Sequence, residues 1–381
     1  MNTILEKIKS NLLDKWWFDQ QNKSIFEEIL WLPLKISELL PFPLSKYYIK
    51  LVDNLGLVFF RLLHVFSSKF SSNYLIEGNE KQSTKKIRIL YNGNPNSLEF
   101  IIKRFYTRSY QIKKISKNKG KIISNQKNKY KQQPDAIIKK ADMFYRAYFQ
   151  RKGYITIPEY ITFLLNTTRS LEQIINGVHS DIRNDISKAQ NTNYTFEVRD
   201  DIKTFDFFYF KMYLPYTCWK HKKSNRIASY ATIRHLQAQG AELLLIKHKK
   251  EYIFGGIFHK EKNIMKTYYA GLKDKKFNHL HNGIMALSYY YLILIAKKKN
   301  CKYIDFGTAK PFKDDGLYKY KNKWNMKIVQ SSPFSSDLFA IKIYKNKSSF
   351  DNFITHHPVH YFDESRLRLM KKDCLTRSKK A

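Results

Sequence analysis

A chain of 381 residues that is 43% apolar and 15% aromatic is long enough for two domains, each with its own core, which excludes a disordered or fibrous protein. Its formal net charge of +37 implies an anionic partner (nucleic acid, an acidic membrane surface or a phosphorylated substrate), although Lys, Asn, Ile, Tyr and Phe abundant together are also what an AT-rich genome writes. Cys218, Cys301 and Cys374 lie far apart with no pairing or metal-ligand spacing, which argues against a disulfide scaffold and for a reducing cytoplasm.

Glu6 and Asp14 interrupt any apolar run that would make a signal peptide. Ile25, Ile29, Leu30, Ile36, Leu39 and Leu40 recur at helical spacing, kinked at Pro33 and stopped by Pro41 and Pro43. Residues 55–66 are apolar but too short to span a bilayer and carry Arg61; they predict a buried helix or an interfacial one. Residues 25–66 are therefore the candidate for peripheral membrane contact. The polar stretch 67–86 predicts a linker, so that residues 1–84 form a helical extension.

From Lys86, KIRILY reads as a strand, NGNPN as a turn and SLEFIIKRFY as a helix. The basic run 115–133 predicts a loop, with a strand at 121–124 as the alternative. Residues 135–151 put Ile137, Ile138, Ala141, Phe144, Tyr145 and Tyr148 on one side of a predicted helix, and 155–166 reads as extended chain broken at Pro158. Ser170 and Gln173 have capping-box spacing at the start of a helix whose apolar face runs from Leu171 through Ile182 to Ala189. Arg183 and Lys188 lie off that face, as solvated charges or pointing into a cleft. After a strand at 195–199, an aromatic helix at 202–213 broken by Pro215 and a helix at 229–239, the runs ELLLIK, YIFGGIFHK and IMKTYYAG predict an antiparallel meander. Gly255 and Gly256 mark a bulge or a close approach to the backbone.

The loop 272–282 then leads to a helix capped by Asn282 and apolar nearly all round. YIDFG follows as a buried strand that carries Asp305 and is broken by Gly307. Strand, loop, helix and strand make a βαβ unit whose loop, at a helix N-terminus, is placed to hold a phosphate. A polar loop with Lys310, Asp314 and Asp315 precedes the basic-aromatic segment from Gly316 through Tyr320 and Lys321. The last strands are predicted at 328–330 and 337–344, and the basic tail past Lys345 as frayed. His356-His357-x-x-His360 has no carboxylate or cysteine at fitting spacing, and no metal site is predicted.

The pieces SLEQII…SDIRNDISKAQ, FYFKMYLPYTCWKHKK, AELLLIKHKKEYIFGGIF, YYAG, NGIMAL…AKKKNCKYIDFG and PFKDDGLYKYKNKW, in this order over about residues 157–330, resemble the FemAB-like branch of GNAT-fold acyltransferases. The resemblance implies an α+β fold of tandem GNAT halves, with mixed, largely antiparallel sheets flanked by helices. Residues 85–169 would be a divergent first half, 170–345 a second half carrying the active site, and 346–381 a basic tail. It implies direct transfer of an acyl or aminoacyl group, from acyl-CoA (acetyl-CoA included) or aminoacyl-tRNA, to an amine of a cell-envelope glycan or a lipid- or nucleotide-linked precursor. The acceptor would be an anionic glycan or phosphorylated molecule and the location cytoplasmic, at most peripheral to the membrane.

The family's Phe-Lys pair falls on Tyr320-Lys321. Lys321 would be catalytic by stabilising the oxyanion, with a solvated lysine as the plain alternative. Asp305 would orient Lys321 or accept a proton, or else simply hydrogen-bond its own loop. Arg183 and Lys188 match the family's basic helix and would hold a phosphate. Tyr216 and His221 would line the acceptor cleft, Tyr269 and Asn282 would flank the donor, and Lys310, Asp315 and Tyr320 complete the substrate-binding set. One departure stands out: KDKKFNHLHNG replaces the glycine-bearing phosphate loop, which puts acetyl-CoA in question. A different class, a non-catalytic tRNA-binding or membrane-surface protein using the positive charge, competes with the enzyme reading.

Overall fold

The structure, a computed structural model, describes Tyr48, Leu51 and residues 72–93, 95–117, 133–221, 227–275, 277–331 and 337–370. The expected helices within 25–66 and the strand at 121–124 lie outside this set, apart from Tyr48 and Leu51. These residues fall into two compact units: a smaller one of 192–259 and 269–282, and a larger one holding the remaining residues from 72 onward.

In the larger unit β1 (Ser72–Glu80) forms a hairpin with β2 (Lys86–Asn92), so the stretch read as a linker is strand from Ser72 onward. The reason is register: Leu75 and Ile76 face Leu90 and Ile89, and Ile76 is fully buried. Helix α1 (Pro95–Phe105) follows as expected, and β3 (Tyr106–Lys117) pairs antiparallel with β1. Residues 136–142, read as part of a helix, are strand β4 (Ala136–Asp142), followed by a 3-10 turn (Met143–Tyr145) and a short helix α2 (Arg146–Arg151). β4 is parallel to β2, and all but one of its residues are buried. A short apolar run buried on both faces carries no period that separates strand from helix. The Asp142 carboxylate accepts from Phe144 N at 3.0 Å and turns the chain.

β5 (Ile155–Pro158) and β6 (Ile161–Asn166) come next. The predicted helix from Ser170 has its capping box but divides into α3 (Leu171–Asn176) and α4 (Ser180–Asn191). In the break His179 N donates to Lys323 O at 2.8 Å, a long-range bond that outweighs continuing the helix.

The smaller unit contains β7 (Tyr194–Arg199), α5 (Ile202–Phe208), a π-helical turn (Tyr209–Tyr213), α6 (Leu214–His221), α7 (Tyr230–Ala238), β8 (Glu242–His248) and most of β9 (Glu251–Glu261). β7, β8 and β9 are antiparallel neighbours. Its core joins Phe205, Phe208, Met212, Tyr213, Leu243, Leu245 and Ile257, each worth about 1.5–3 kcal/mol of burial. A Cβ on Gly255 would lie 2.6 Å from the Phe208 ring, which is the close approach its glycine foretold. β10 (Ile264–Leu272) starts in the larger unit and ends in the smaller, where a 3-10 turn (Lys273–Lys275) and α8 (Asn278–His281) follow.

The chain re-enters the larger unit with α9 (Ile284–Lys298), β11 (Tyr303–Ala309), α10 (Gly316–Asn322), β12 (Lys327–Gln330) and β13 (Asp337–Ile343). The tail read as frayed instead folds as α11 (Lys347–His356), β14 (His360–Asp363) and β15 (Arg366–Leu369). Phe350, Phe353 and Val359 bury themselves with Phe105 and Phe312, which anchors it despite its charge. The first sheet runs β15-β14-β5-β13-β4-β2-β1-β3, and a second set runs β12-β6-β11-β10. Mixed sheets flanked by helices are thus present in the structure, as expected of an α+β chain.

Gly283 has φ 79° and begins α9, and no side chain caps it. Asn282, the expected cap, instead closes α8, its N–H donating to Asn278 O at 3.2 Å. A Cβ at Gly283 would come within 2.0 Å of Asp185 O, so only glycine lets α4 and α9 pack here.

Candidate active site

Parallel β10 and β11 pair only from Ile264↔Tyr303 to Lys266↔Asp305. One residue on, Thr267 Oγ1 donates to Asp305 O at 3.2 Å. On its other edge β11 pairs with β6 as Asp305↔Leu164 and then Thr308↔Thr162, three residues against two. That extra residue is a bulge, made possible by the left-handed Gly307 at φ 74°. Gly307, read as the end of the strand, therefore bends it, and β11 continues to Ala309.

Lys321 reaches this bulge from α10. Its Nζ donates to Phe306 O at 2.7 Å and Thr308 O at 3.0 Å and lies 5.5 Å from the Phe163 ring centre, with the residue 3% exposed. Burial lowers its pKa to about 8, against the opposing pull of Asp305 and Asp315. Two of three N–H groups are spent on carbonyls, and Gly307 leaves the neighbouring space without a side chain: a Cβ there would sit 3.9 Å from Nζ. Lys321 is thus not a solvated lysine.

Asp305 is half-buried, and its Oδ1 accepts from Gly307 N at 2.7 Å. Burial raises its pKa, while that bond, Lys266 and Lys321 pull it down. The Lys321 amine is held by carbonyls, and Asp305 acts on it through charge. Tyr320, the neighbour of Lys321, packs edge-on against Tyr289, which stacks on Phe306 at 4.1 Å.

Other expected site residues have structural partners. The Arg183 guanidinium donates to Val178 O just past the end of α3, and Lys188 is exposed on α4. Lys310 is 9% exposed, 3.4 Å from Glu159 Oε1 and 3.8 Å from the Tyr160 ring centre. Asp315 caps α10 by accepting from Leu317 N and Tyr318 N. In the smaller unit Tyr269 packs on Tyr213, Asn282 hydrogen-bonds the Tyr194 side chain, and Tyr216 neighbours Trp219. Trp219, 48% exposed, lies 4.1 Å from the Phe277 ring centre with the rings tilted by 35°, beside Lys220, a pair the sequence reading missed. The His221 side chain lies outside the described residues. The histidine cluster disperses: His356 bonds Asn352 O, His357 bonds Asp314 and His360 bonds Tyr318. Among the described residues no group of His, Cys, Asp or Glu is placed to hold a metal, and no helix is long and apolar enough to cross a membrane.

No protein-family model and no curated protein matches the chain. Solved structures do. L-PGS from Bacillus licheniformis is 13% identical at a TM-score of 0.37, covering 76% of this chain and 87% of its own. The C-terminal domain of a putative lysylphosphatidylglycerol synthetase from Agrobacterium fabrum is 10% identical at 0.39, covering 74% and 85%. FemX is 13% identical at 0.38, covering 69% and 83%. The chain is also similar to a tandem GNAT protein from the clavulanic acid biosynthesis pathway, 7% identical at 0.30, covering 69% and 81%. The strand, helix and strand unit β10-α9-β11, with its parallel pairing, is the βαβ unit expected from the order of apolar runs and loop in the sequence.

Proposed function

We propose that this protein is an N-acyltransferase that moves an acyl or aminoacyl group directly onto an amine of a cell-envelope glycan or a lipid- or nucleotide-linked precursor. The observation that carries this is the Lys321 ammonium, fixed on two carbonyls of the β11 bulge where β10 and β11 stop pairing. The acceptor amine attacks the carbonyl carbon of a thioester or ester, and the carbonyl electrons move onto oxygen. The positive charge of Lys321, in a water-poor setting, opposes that oxyanion. The proton released by the amine passes to Asp305, whose burial makes it a stronger base, and from there to the departing thiolate or alkoxide as its bond to the carbonyl carbon breaks. The two-half division of the chain, with the active half at 170–345, belongs to the same proposal.

The donor is acyl-CoA or aminoacyl-tRNA. The exposed Trp219 ring beside Phe277 and Lys220 favours the RNA donor, because bases stack on such rings. The test is single-turnover transfer from a panel of acyl-CoAs and aminoacyl-tRNAs to amine acceptors, with wild type beside Lys321→Met. Transfer lost in a folded Lys321→Met protein supports the reading, and transfer at the wild-type rate overturns it. Trp219→Ala is expected to weaken tRNA binding while leaving acyl-CoA binding unchanged. If instead RNA binds without transfer from any donor, the chain is a nucleic-acid-binding protein.

A further inference from the structure

We propose that a cavity between α2 and the β5–β14–β15 edge of the first sheet binds an amphipathic anion, a phosphate or carboxylate head on an aliphatic chain. The cavity holds about 750 Å³, within the range of small-molecule sites. Its apolar wall is Tyr154, Ile155, Tyr361, Phe362, Leu369 and Met370. Its polar wall is Arg146, Gln150, Arg151 and Arg368, with Asp363, Glu364 and Ser365.

The wall is built rather than incidental. Gln150 Nε2 donates to Phe362 O and Glu364 O, both at 3.0 Å, and ties α2 to the β14–β15 hairpin. The Arg146 guanidinium lies 5.0 Å from the Phe362 ring centre, and its Nη1 donates to Gln330 Oε1 at 3.2 Å. Asp363 is matched to Arg368 at 3.0 Å. Arg146 and Arg151 have no carboxylate partner among the described residues. The Arg146 fork over the Phe362 ring, with Arg151 on the same helix, suits a planar or tetrahedral oxyanion joined to an apolar body.

The interior behind the cavity is also short of negative charge. Lys139 on β4, 7% exposed, lies 5.6 Å from the Tyr154 ring centre, and Lys342 lies 5.4 Å from the same ring. Neither makes an ion pair among the described residues. Burial and the nearby Lys342 lower the Lys139 pKa to about 8. The ladder sets Lys139 opposite Ala340, Ala340 opposite Thr156 and Thr156 opposite Phe362, one row on one face. Thr156 in that row is fully buried, and its Oγ1 has no hydrogen-bond partner among the described residues. Lys139, Lys342 and Thr156 do not line the cavity; the two lysines add positive charge behind its Tyr154 wall.

The test is calorimetric titration of the full chain with decyl phosphate and with decanol. One-to-one, saturable binding of decyl phosphate, at least tenfold tighter than decanol, is expected. Arg151→Gln with Arg368→Gln, both at the protein surface, should weaken it at least tenfold, with the fold checked by thermal unfolding. Lys321→Met should bind as wild type, so this site and the transfer reading fail separately. Equal affinity for decanol, uptake at many sites, no binding, or an unchanged constant in the double variant overturns the proposal.

Discussion

Two buried lysines of the larger unit, Lys321 and Lys139, both have a pKa of about 8, yet their surroundings are opposite. Lys321 donates to two backbone carbonyls and has Asp305 and Asp315 pulling its pKa back up. Lys139 rests against the Phe149 and Tyr154 rings, and Lys342 adds a second positive charge. A depressed lysine pKa therefore has two meanings here. One amine is held in place by two carbonyls, and the other is a cation with no ion pair among the described residues.

Transfer kinetics separate the two most sharply. Lys321→Met is expected to lower kcat by about 10²–10³-fold, the usual size of a lost oxyanion contact, while Lys139→Met leaves it within twofold. Stability should divide them the other way. Methionine at 139 removes an uncompensated buried charge, whereas methionine at 321 orphans two carbonyls. Lys139→Met is therefore expected to be more stable than Lys321→Met by about 1–3 kcal/mol in urea unfolding at pH 7.

Proton linkage gives a further check. Both lysines bind a proton less well in the folded chain than in the unfolded one, so stability rises with pH from about 8 up to the ordinary lysine range near 10.5. Each contributes a slope of up to about 1.4 kcal/mol per pH unit, and each methionine variant should remove its own share. If transfer runs as proposed, with Lys321 as a cation, kcat/KM is expected to fall as pH rises through about 8, and a rise there would make the neutral amine the active form. The smallest effect belongs to Gly307→Ala, which keeps both lysines but strains a φ of 74°. About 1 kcal/mol of stability and a several-fold loss of kcat are expected, read by thermal melting and the transfer assay.

Elements whose local pattern and punctuation agree were legible in the sequence: β2, α1, the β8 and β9 hairpin, β10, the all-round apolar α9 and the short apolar β11 lie close to where they were expected. β4 was misread because AIIKKAD is buried on both faces and only its partners β2 and β13 decide its state. The tail was misread because its lysines masked Phe350, Phe353 and Val359, which are anchored by residues more than 200 positions earlier, such as Phe105. The family resemblance singled out Lys321 and Asp305, which the structure sets beside one bulge, but the bulge itself was not legible. Gly307 announced an unusual backbone, but whether it ends or bends a strand depends on β6. The Lys310 partner Glu159 lies 151 residues away and is set by tertiary contact, whereas the Asp315 cap on α10 is a local contact that the Asp-Gly start of the segment already offered.

The place of β13 in the first sheet has a consequence for how the protein is made. This strand lies between β4 and β5, so that Ala340 faces Lys139 on one side and Thr156 on the other. The earlier strands leave the ribosome with a gap that only residues 337–343 fill, and the sheet closes only once these residues have been synthesised. Until then the facing edges of β4 and β5 are open, and a chain that stops at residue 330 keeps them so.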